Sequence, residues 1–295
     1  MTRKPFRSLL PADGPLILPG AHDALAARLI QRAGFGGFFI GGFGAVGARF
    51  GVPDIGLKSL GDISLAVRDI LAACDLPVLV DADDGYGDVK NVVHTVHTYE
   101  KMGVGALFLE DQRWPKRCGH LEGKAVVPVE EHAAKIRAAA QERMCPDTFL
   151  IARTDARAVT GLDDAMRRAE RYLQAGADCI FIEALRSVEE LERVGKAFDL
   201  QVANPLAGGV SPILRPEEYF RLGFKILPYG IDLILRVTRA MQHALEDMRS
   251  GKFALMGTGA TLQEYLQVVG FEEWTRIERS YGTGNRPHRR AGGGL

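Results

Sequence analysis

The stretch LFLEDQRWPKRCGHLEGKAVV, residues 107–127, ends an apolar run on Glu110 and Asp111 and then enters a loop carrying Lys116, Arg117, Cys118 and His120. A thiol between cations is placed to ionise or to trade protons, because nearby positive charge favours the thiolate. Polar neighbours and Gly119 argue for a mobile working loop around Cys118 rather than a core position. Further acids stand at the ends of other apolar runs: Asp54 in GVPDIG, and Asp81 and Asp83 in VDADDGYGD. Side chains on a strand alternate with a period of two, so Asp81 and Asp83 are expected to face the same way. A single acid in such a place can simply cap the next helix. As a set on neighbouring strands they read as hard oxygen ligands for Mg2+, or Mn2+, an ion that keeps several of its waters. Arg153 in IARTDA and Glu183 in FIEA fall near two more strand ends. The arginine fork suits a substrate carboxylate; it also suits a buried ion pair with Glu183, and the two roles are compatible.

Alternating apolar runs and helical spacings are what would position these groups. Strands are predicted at 16–21, 37–42, 76–83, 106–111, 149–155, 179–183, 200–204 and 225–228. Helices are predicted at 23–33, 59–73 with Ser59 as N-cap, 89–102, 128–140, 162–175, 188–198 and 216–222. Near-continuous apolar strands fit a parallel sheet buried on both faces, and eight strand–helix units fit a closed (β/α)8 TIM barrel over residues 1–250. Two more helical spacings follow, 231–248 and 261–281. The first supplies the eighth barrel helix; the second belongs to an extension, 251–282, expected to pack on another subunit. The tail 283–295 is expected to be disordered. Gly42, Gly44 and Gly47 spell GxGxxG, with Asp62 twenty residues after the first. Gly51 and Pro53 follow too soon for a helix to start on the last glycine, so irregular chain is expected to Gly56 and dinucleotide binding is rejected.

Lys plus Arg and Asp plus Glu both number 37, and the chain is 46% hydrophobic and 25% charged. That balance leaves no positive field for nucleic acid or an anionic membrane, and favours a small polar ligand. The opening residues lack the apolar core of a secretory signal, and no apolar window reaches a span of ~20 residues, so a soluble, cytoplasmic protein is expected. Cys74, Cys118, Cys145 and Cys179 show no CxxC pairing, which argues against a zinc cluster or a disulfide framework.

Taken together, DADDGYGD, EDQRWPKRCGH and IARTDAR followed by FIEA resemble the isocitrate lyase and phosphoenolpyruvate mutase superfamily over nearly the whole chain, and KRCGH resembles its lyase branch. The resemblance implies a (β/α)8 barrel assembled as a homotetramer that swaps a C-terminal helix between subunits. It implies Mg2+ held at Asp81 and Asp83, with Asp54 and Glu110 acting through bound waters. It implies substrate contacts at Gly41, Gly42, Phe43, Asp81, Lys116, Arg153 and Asn204, and catalytic roles for Cys118, His120, Arg153 and Glu183. The implied reaction cleaves a carbon–carbon bond of a 2-hydroxy di- or tricarboxylate, of the 2-alkylmalate or 2-methylisocitrate type, to a 2-oxo acid and a carboxylate. An oxaloacetate hydrolase or decarboxylase is the enzymatic alternative, and a non-catalytic dicarboxylate-binding barrel the other. The family often has Ser-Gly at Gly41-Gly42 and polar groups near Leu206 and Ala207, so a more apolar pocket is expected here. Pro228 and Gly230 stand where oxaloacetate hydrolases tend to present a serine.

Overall fold

The computed structural model of the protein describes residues 3–282, so the predicted tail at 283–295 lies outside the described residues. The chain divides into two compact units between Gln242 and His243. The first unit carries β1 (Leu16–Pro19), β2 (Phe38–Ile40), β3 (Val78–Asp81), β4 (Ala106–Glu110), β5 (Phe149–Thr154), β6 (Cys179–Ile182) and β7 (Ile226–Tyr229). All are parallel: β2 through β6 pair in chain order, and β7 pairs with β1. Single parallel bridges close the gaps. Gly20 to Phe39 joins β1 to β2, Ile180 to Gln201 leads from β6 to a short stave, and Val202 to Ile226 joins that stave to β7. The result is a closed eight-stave TIM barrel. The strand predicted at 200–204 shrinks to the bridging pair Gln201 and Val202, since Pro205 has no N–H to carry the ladder onward.

Helices cover the outside: α1 (Ala24–Arg32), α2 (Gly42–Phe50), α3 (Leu60–Ala72), α4 (Val89–Lys101), α5 (Val129–Glu142), the short α6 (Ala156–Val159), α7 (Leu162–Gln174), α8 (Val188–Ala197) and α9 (Pro216–Arg221); α10 (Asp232–Arg249), the segment expected as the eighth barrel helix, follows β7 and buries none of its residues. Local chemistry starts them where the sequence says. Asp23 accepts from Ala26 N at 2.7 Å, and Ser59 forms a capping box with Asp62. The expected irregular chain after β2 is wrong. Here α2 begins on Gly42, the first glycine of GxGxxG, and ends where Gly51 takes a left-handed φ of 64°. In the second unit the predicted segment 261–281 is two helices, α11 (Leu262–Val268) and α12 (Phe271–Tyr281), broken by Gly270 at φ 78°.

The barrel interior is filled by Leu18, Phe39, Leu79, Phe108, Ile151, Phe181 and Ile226, and Phe6 packs with them from the N-terminal segment. Between strands and helices lie two further clusters, one around Val67, Val80 and Leu107, the other around Ile180, Val194 and Leu227. Where α8 passes the end of α9, backbone touches backbone: a Cβ on Gly195 would collide with the Leu222 carbonyl oxygen. Gly195→Ala is therefore expected to lower the unfolding free energy by about 1–3 kcal/mol, read as a lower urea midpoint at unchanged slope.

Candidate active site

Polar and glycine residues at or just past the C-terminal ends of several strands gather at one face of the barrel. Gly41 and Gly42 follow β2, Asp81 ends β3, Glu110 ends β4, Arg153 lies in the last turn of β5, Glu183 follows β6 and Asn204 follows the short stave. These residues line one cavity together with Phe43, Asp54, Lys116, Cys118, His120 and the apolar Leu206, Pro228 and Ile231. Three rings floor it. Phe108 stacks on Phe39 at 5.8 Å and meets Phe181 edge-on at 5.7 Å, while the Arg153 guanidinium lies 5.6 and 5.4 Å from the Phe108 and Phe181 centroids. Gly41 is the residue that Phe39 leaves room for, since a Cβ there would come within 2.8 Å of the ring.

Arg153 is buried and fully paired. Its Nε and Nη2 donate to Asp155 at 3.0 and 3.2 Å, Nη1 lies 3.2 Å from Glu110 Oε2, and Nη2 lies 3.6 Å from Glu183 Oε2. Burial alone would raise the Glu183 carboxyl, but Arg153 and His120 hold it below the usual range. Asp155 is likewise held at about 2, burial being outweighed by Arg153 and Lys124. His120 Nδ1 accepts from Val210 N at 3.1 Å, which leaves the proton on Nε2, 3.2 Å from Glu183 Oε1. Asn204 Nδ2 donates to Glu183 Oε2 at 3.2 Å. His120 and Asn204 thus fix Glu183, and Glu183 helps fix Arg153.

The acidic set gathers around a lysine. Lys116 Nζ lies 2.6 Å from Asp54 Oδ1 and 2.7 Å from Asp83 Oδ1. Asp81 accepts from Asp83 N at 2.9 Å and from Gly42 N, at the start of α2, at 3.4 Å. Strand alternation is not what joins Asp81 to Asp83: β3 stops at Asp81, and Asp83 reaches the cluster through a left-handed turn at φ 48°. Burial pushes Asp81 up to about 6, raises Asp54, and lifts Glu110 well above the carboxylate range. Glu110 Oε1 is buried with no hydrogen-bond partner. Asp111, the other acid of that strand end, turns away to accept from Thr154 Oγ1, Asp155 N and Tyr172 OH at 2.7–2.9 Å. Four crowded carboxylates with an orphaned oxygen fit a divalent cation in charge and donor type. Among the described residues no three acidic, histidine or cysteine side chains are arranged as a ready metal-binding group, and the Lys116 ammonium lies between Asp54 and Asp83.

Residues 113–126 form a lid pinned at both ends. Gln112 bridges Val126, Arg113 N bonds Ala125 O at 2.8 Å, and the Gln112 side chain clamps Arg117 N and O at 2.9 and 2.8 Å. The lid is pressed onto the pocket, for a Cβ on Gly119 would sit 2.5 Å from both Arg153 Nη2 and Glu183 Cγ. Cys118 lines the cavity beneath it. Its thiol is not poised to ionise as the neighbouring cations suggest: burial pushes it up and outweighs the His120 N–H and Arg153. Lys124 is the site residue that the motif reading misses. It is buried, donates to Asp155 Oδ1 at 2.9 Å and bonds the Gly119 carbonyl. A lysine beside glycines gives no sequence sign of burial. All four cysteines are free. No helix among the described residues is long and apolar enough to cross a membrane.

A TIM barrel with a lidded, acid-rich pocket at the C-terminal ends of its strands defines the class of enzyme. Residues 6–249 match the phosphoenolpyruvate phosphomutase family. The chain is 37% identical to 2,3-dimethylmalate lyase of Eubacterium barkeri over 96% of its own length and 99% of that protein's. It is 39% identical to 2-methylisocitrate lyase of Bacillus subtilis, covering 93% of this chain and 91% of the other. Among solved structures, oxaloacetate acetylhydrolase with 3,3-difluorooxalacetate superposes with a TM-score of 0.89 at 31% identity, covering 94% of this chain and 95% of that one. Phosphonopyruvate hydrolase, solved with oxalate and Mg2+, superposes at 0.83 and 27% identity, covering 95% of this chain and 99% of the other. The chain belongs to the phosphoenolpyruvate mutase and isocitrate lyase superfamily.

Proposed function

We propose that the protein is a Mg2+-dependent lyase that splits a 2-hydroxy di- or tricarboxylate, of the 2-alkylmalate or 2-methylisocitrate type, into a 2-oxo acid and a carboxylate. The observation that carries this is the placement of Cys118, held by the closed lid over a pocket that also contains Arg153 and the carboxylate cluster, where burial pushes its thiol up. Asp54, Asp81, Asp83 and Glu110 would hold Mg2+, which supplies Lewis-acid stabilisation of anionic oxygens when bound.

The chain's own groups account for the rest. The N-terminal N–H groups of α2, at Gly42 and Phe43, donate to a substrate carboxylate, and Arg153 faces the charge that develops as the bond breaks. The 2-hydroxyl gives its proton to a cavity-lining carboxylate, Asp54 or Asp81, and its oxygen becomes the new carbonyl. The electrons of the C2–C3 bond pass into the adjoining carboxylate as an enolate, whose carbon takes the proton of Cys118. The thiolate left behind recovers a proton from solvent when the lid opens. Leu206, Pro228 and Ile231 give the pocket an apolar wall, which favours an alkyl substituent over a further carboxylate.

The likeness to oxaloacetate acetylhydrolase supports a second reading, an oxaloacetate-cleaving enzyme. The resemblance implies a homotetramer, and the exposed Leu245, Met248 and Trp274 of the second unit support a subunit-contacting extension. A panel of 2-methylisocitrate, isocitrate, 2,3-dimethylmalate, 2-ethylmalate and oxaloacetate, followed for 2-oxo acid with Mg2+ and with EDTA, tests the assignment. EDTA-sensitive pyruvate, glyoxylate or 2-oxobutanoate from a hydroxy acid is expected. Loss of oxaloacetate alone would move the function to the hydrolase or decarboxylase branch.

A further inference from the structure

We propose that Lys124 is a positioning residue that latches the lid shut and couples its closure to the orientation of Arg153. The lid leaves the barrel at Gln112 and returns at Val126, and Lys124 stands on the returning limb. Its side chain is 1% exposed, and its ammonium spans two partners: the Gly119 carbonyl at the tip of the lid and Asp155 Oδ1 on the barrel. Asp155 is the carboxylate that holds the Arg153 fork through both Nε and Nη2. Gly119 in turn lies against Arg153 Nη2 and Glu183, too close for any side chain. One cation therefore closes a ring: lid tip, Lys124, Asp155, Arg153 and back to the lid tip.

The pairing is consequential because Asp155 is wholly enclosed. When the lid lifts, the Gly119 carbonyl leaves, and the ammonium keeps only Asp155 in a place that water can enter. When it closes, the ammonium is desolvated between two acceptors, a geometry that favours the shut state only if both are in reach. Asp155 is anchored from behind by its own N–H to Asp111 Oδ1 at 2.9 Å, so the latch works against a fixed wall. Lys124 is not among the residues that line the active-site cavity, so it acts through Gly119 and Arg153.

The kinetic part of this inference rests on the lyase assignment; the mechanical part does not. With Mg2+ and oxalate, trypsin should cut the wild-type lid slowly, with cuts compared after Arg113, Lys116 and Arg117, the sites that a Lys124 variant retains. Lys124→Met should be cut at least tenfold faster under the same conditions, with Lys124→Arg restored to near wild-type protection. On whichever substrate the wild type turns over, Lys124→Met should lower kcat about 100-fold with KM changed less than threefold, and Lys124→Arg should recover most of it. Equal protection of Lys124→Met and wild type would overturn the latch even if no hydroxy acid is a substrate. A Lys124→Met chain without native circular dichroism would also overturn it, by showing that the lysine holds the barrel and not the lid.

Discussion

Cys118→Ser is expected to lower kcat for cleavage by about 10²–10⁴-fold while leaving KM and oxalate affinity near their wild-type values, the range that a positioned proton donor contributes. Serine keeps the size of the side chain but is a far weaker acid, so the enolate waits for a proton that solvent, excluded by the lid, cannot readily give. Direction of reaction supplies a second check. Burial raises the Cys118 thiol, so it stays protonated at neutral pH. As a donor it should serve cleavage at a constant rate across neutral pH, with rate falling only on the alkaline side, as pH rises through the raised value. In condensation the thiolate is the base, so that rate should climb over the same alkaline window. Near-normal turnover by the serine variant, or a cleavage rate that rises with alkalinity, would remove Cys118 from the proton transfer and the lyase assignment with it.

Much of this site is legible in the sequence because barrels put strand ends and chemistry in one place. Asp81, Glu110, Arg153 and Glu183 each close an apolar run, and the fold then needs no further information to bring them together. Caps such as Asp23 and Ser59 are legible for the same local reason. What escapes is set by tertiary partners. Gly42 starts a helix because β2 ends against it and Asp54 needs the space a side chain would fill, its carboxylate oxygen lying 3.1 Å from where a Cβ would stand. The glycine pattern alone reads as loop. Asp83 reaches the cluster through a left-handed turn that strand periodicity does not foresee. Lys116 reads as a loop cation and Asp111 as a site acid, yet the first is buried among carboxylates and the second is spent on Thr154 and Tyr172. The acidity of Cys118 is misjudged from neighbouring charges because burial, which the sequence does not show, outweighs them.

Arg153 should be the least replaceable side chain of the pocket, and its two substitutions should fail differently. Arg153→Lys keeps a charge but loses the fork that reaches Asp155, Glu110 and Glu183 at once, so kcat/KM is expected to drop by about 10²–10³-fold with little loss of stability. Arg153→Met leaves the buried carboxylates of Asp155 and Glu183 short of a cation and is expected to lower the unfolding free energy by about 3–5 kcal/mol as well. Acid should separate these effects. Asp155 and Glu183 have depressed values in the wild type, so they contribute stability that is present above the ordinary carboxylate range and is lost as pH falls toward about 2, the value at which Asp155 is held. Much of that contribution depends on Arg153. The gap in unfolding free energy between wild type and Arg153→Met should accordingly be widest near neutral pH and narrow as pH falls from about 4 toward 2, where the carboxylates take up protons and no longer need the cation. Urea unfolding of both proteins across that range decides the matter. A gap that stays constant with pH would mean that Arg153 supports the barrel through packing on Phe108 and Phe181, and that its charge is free to serve the substrate alone.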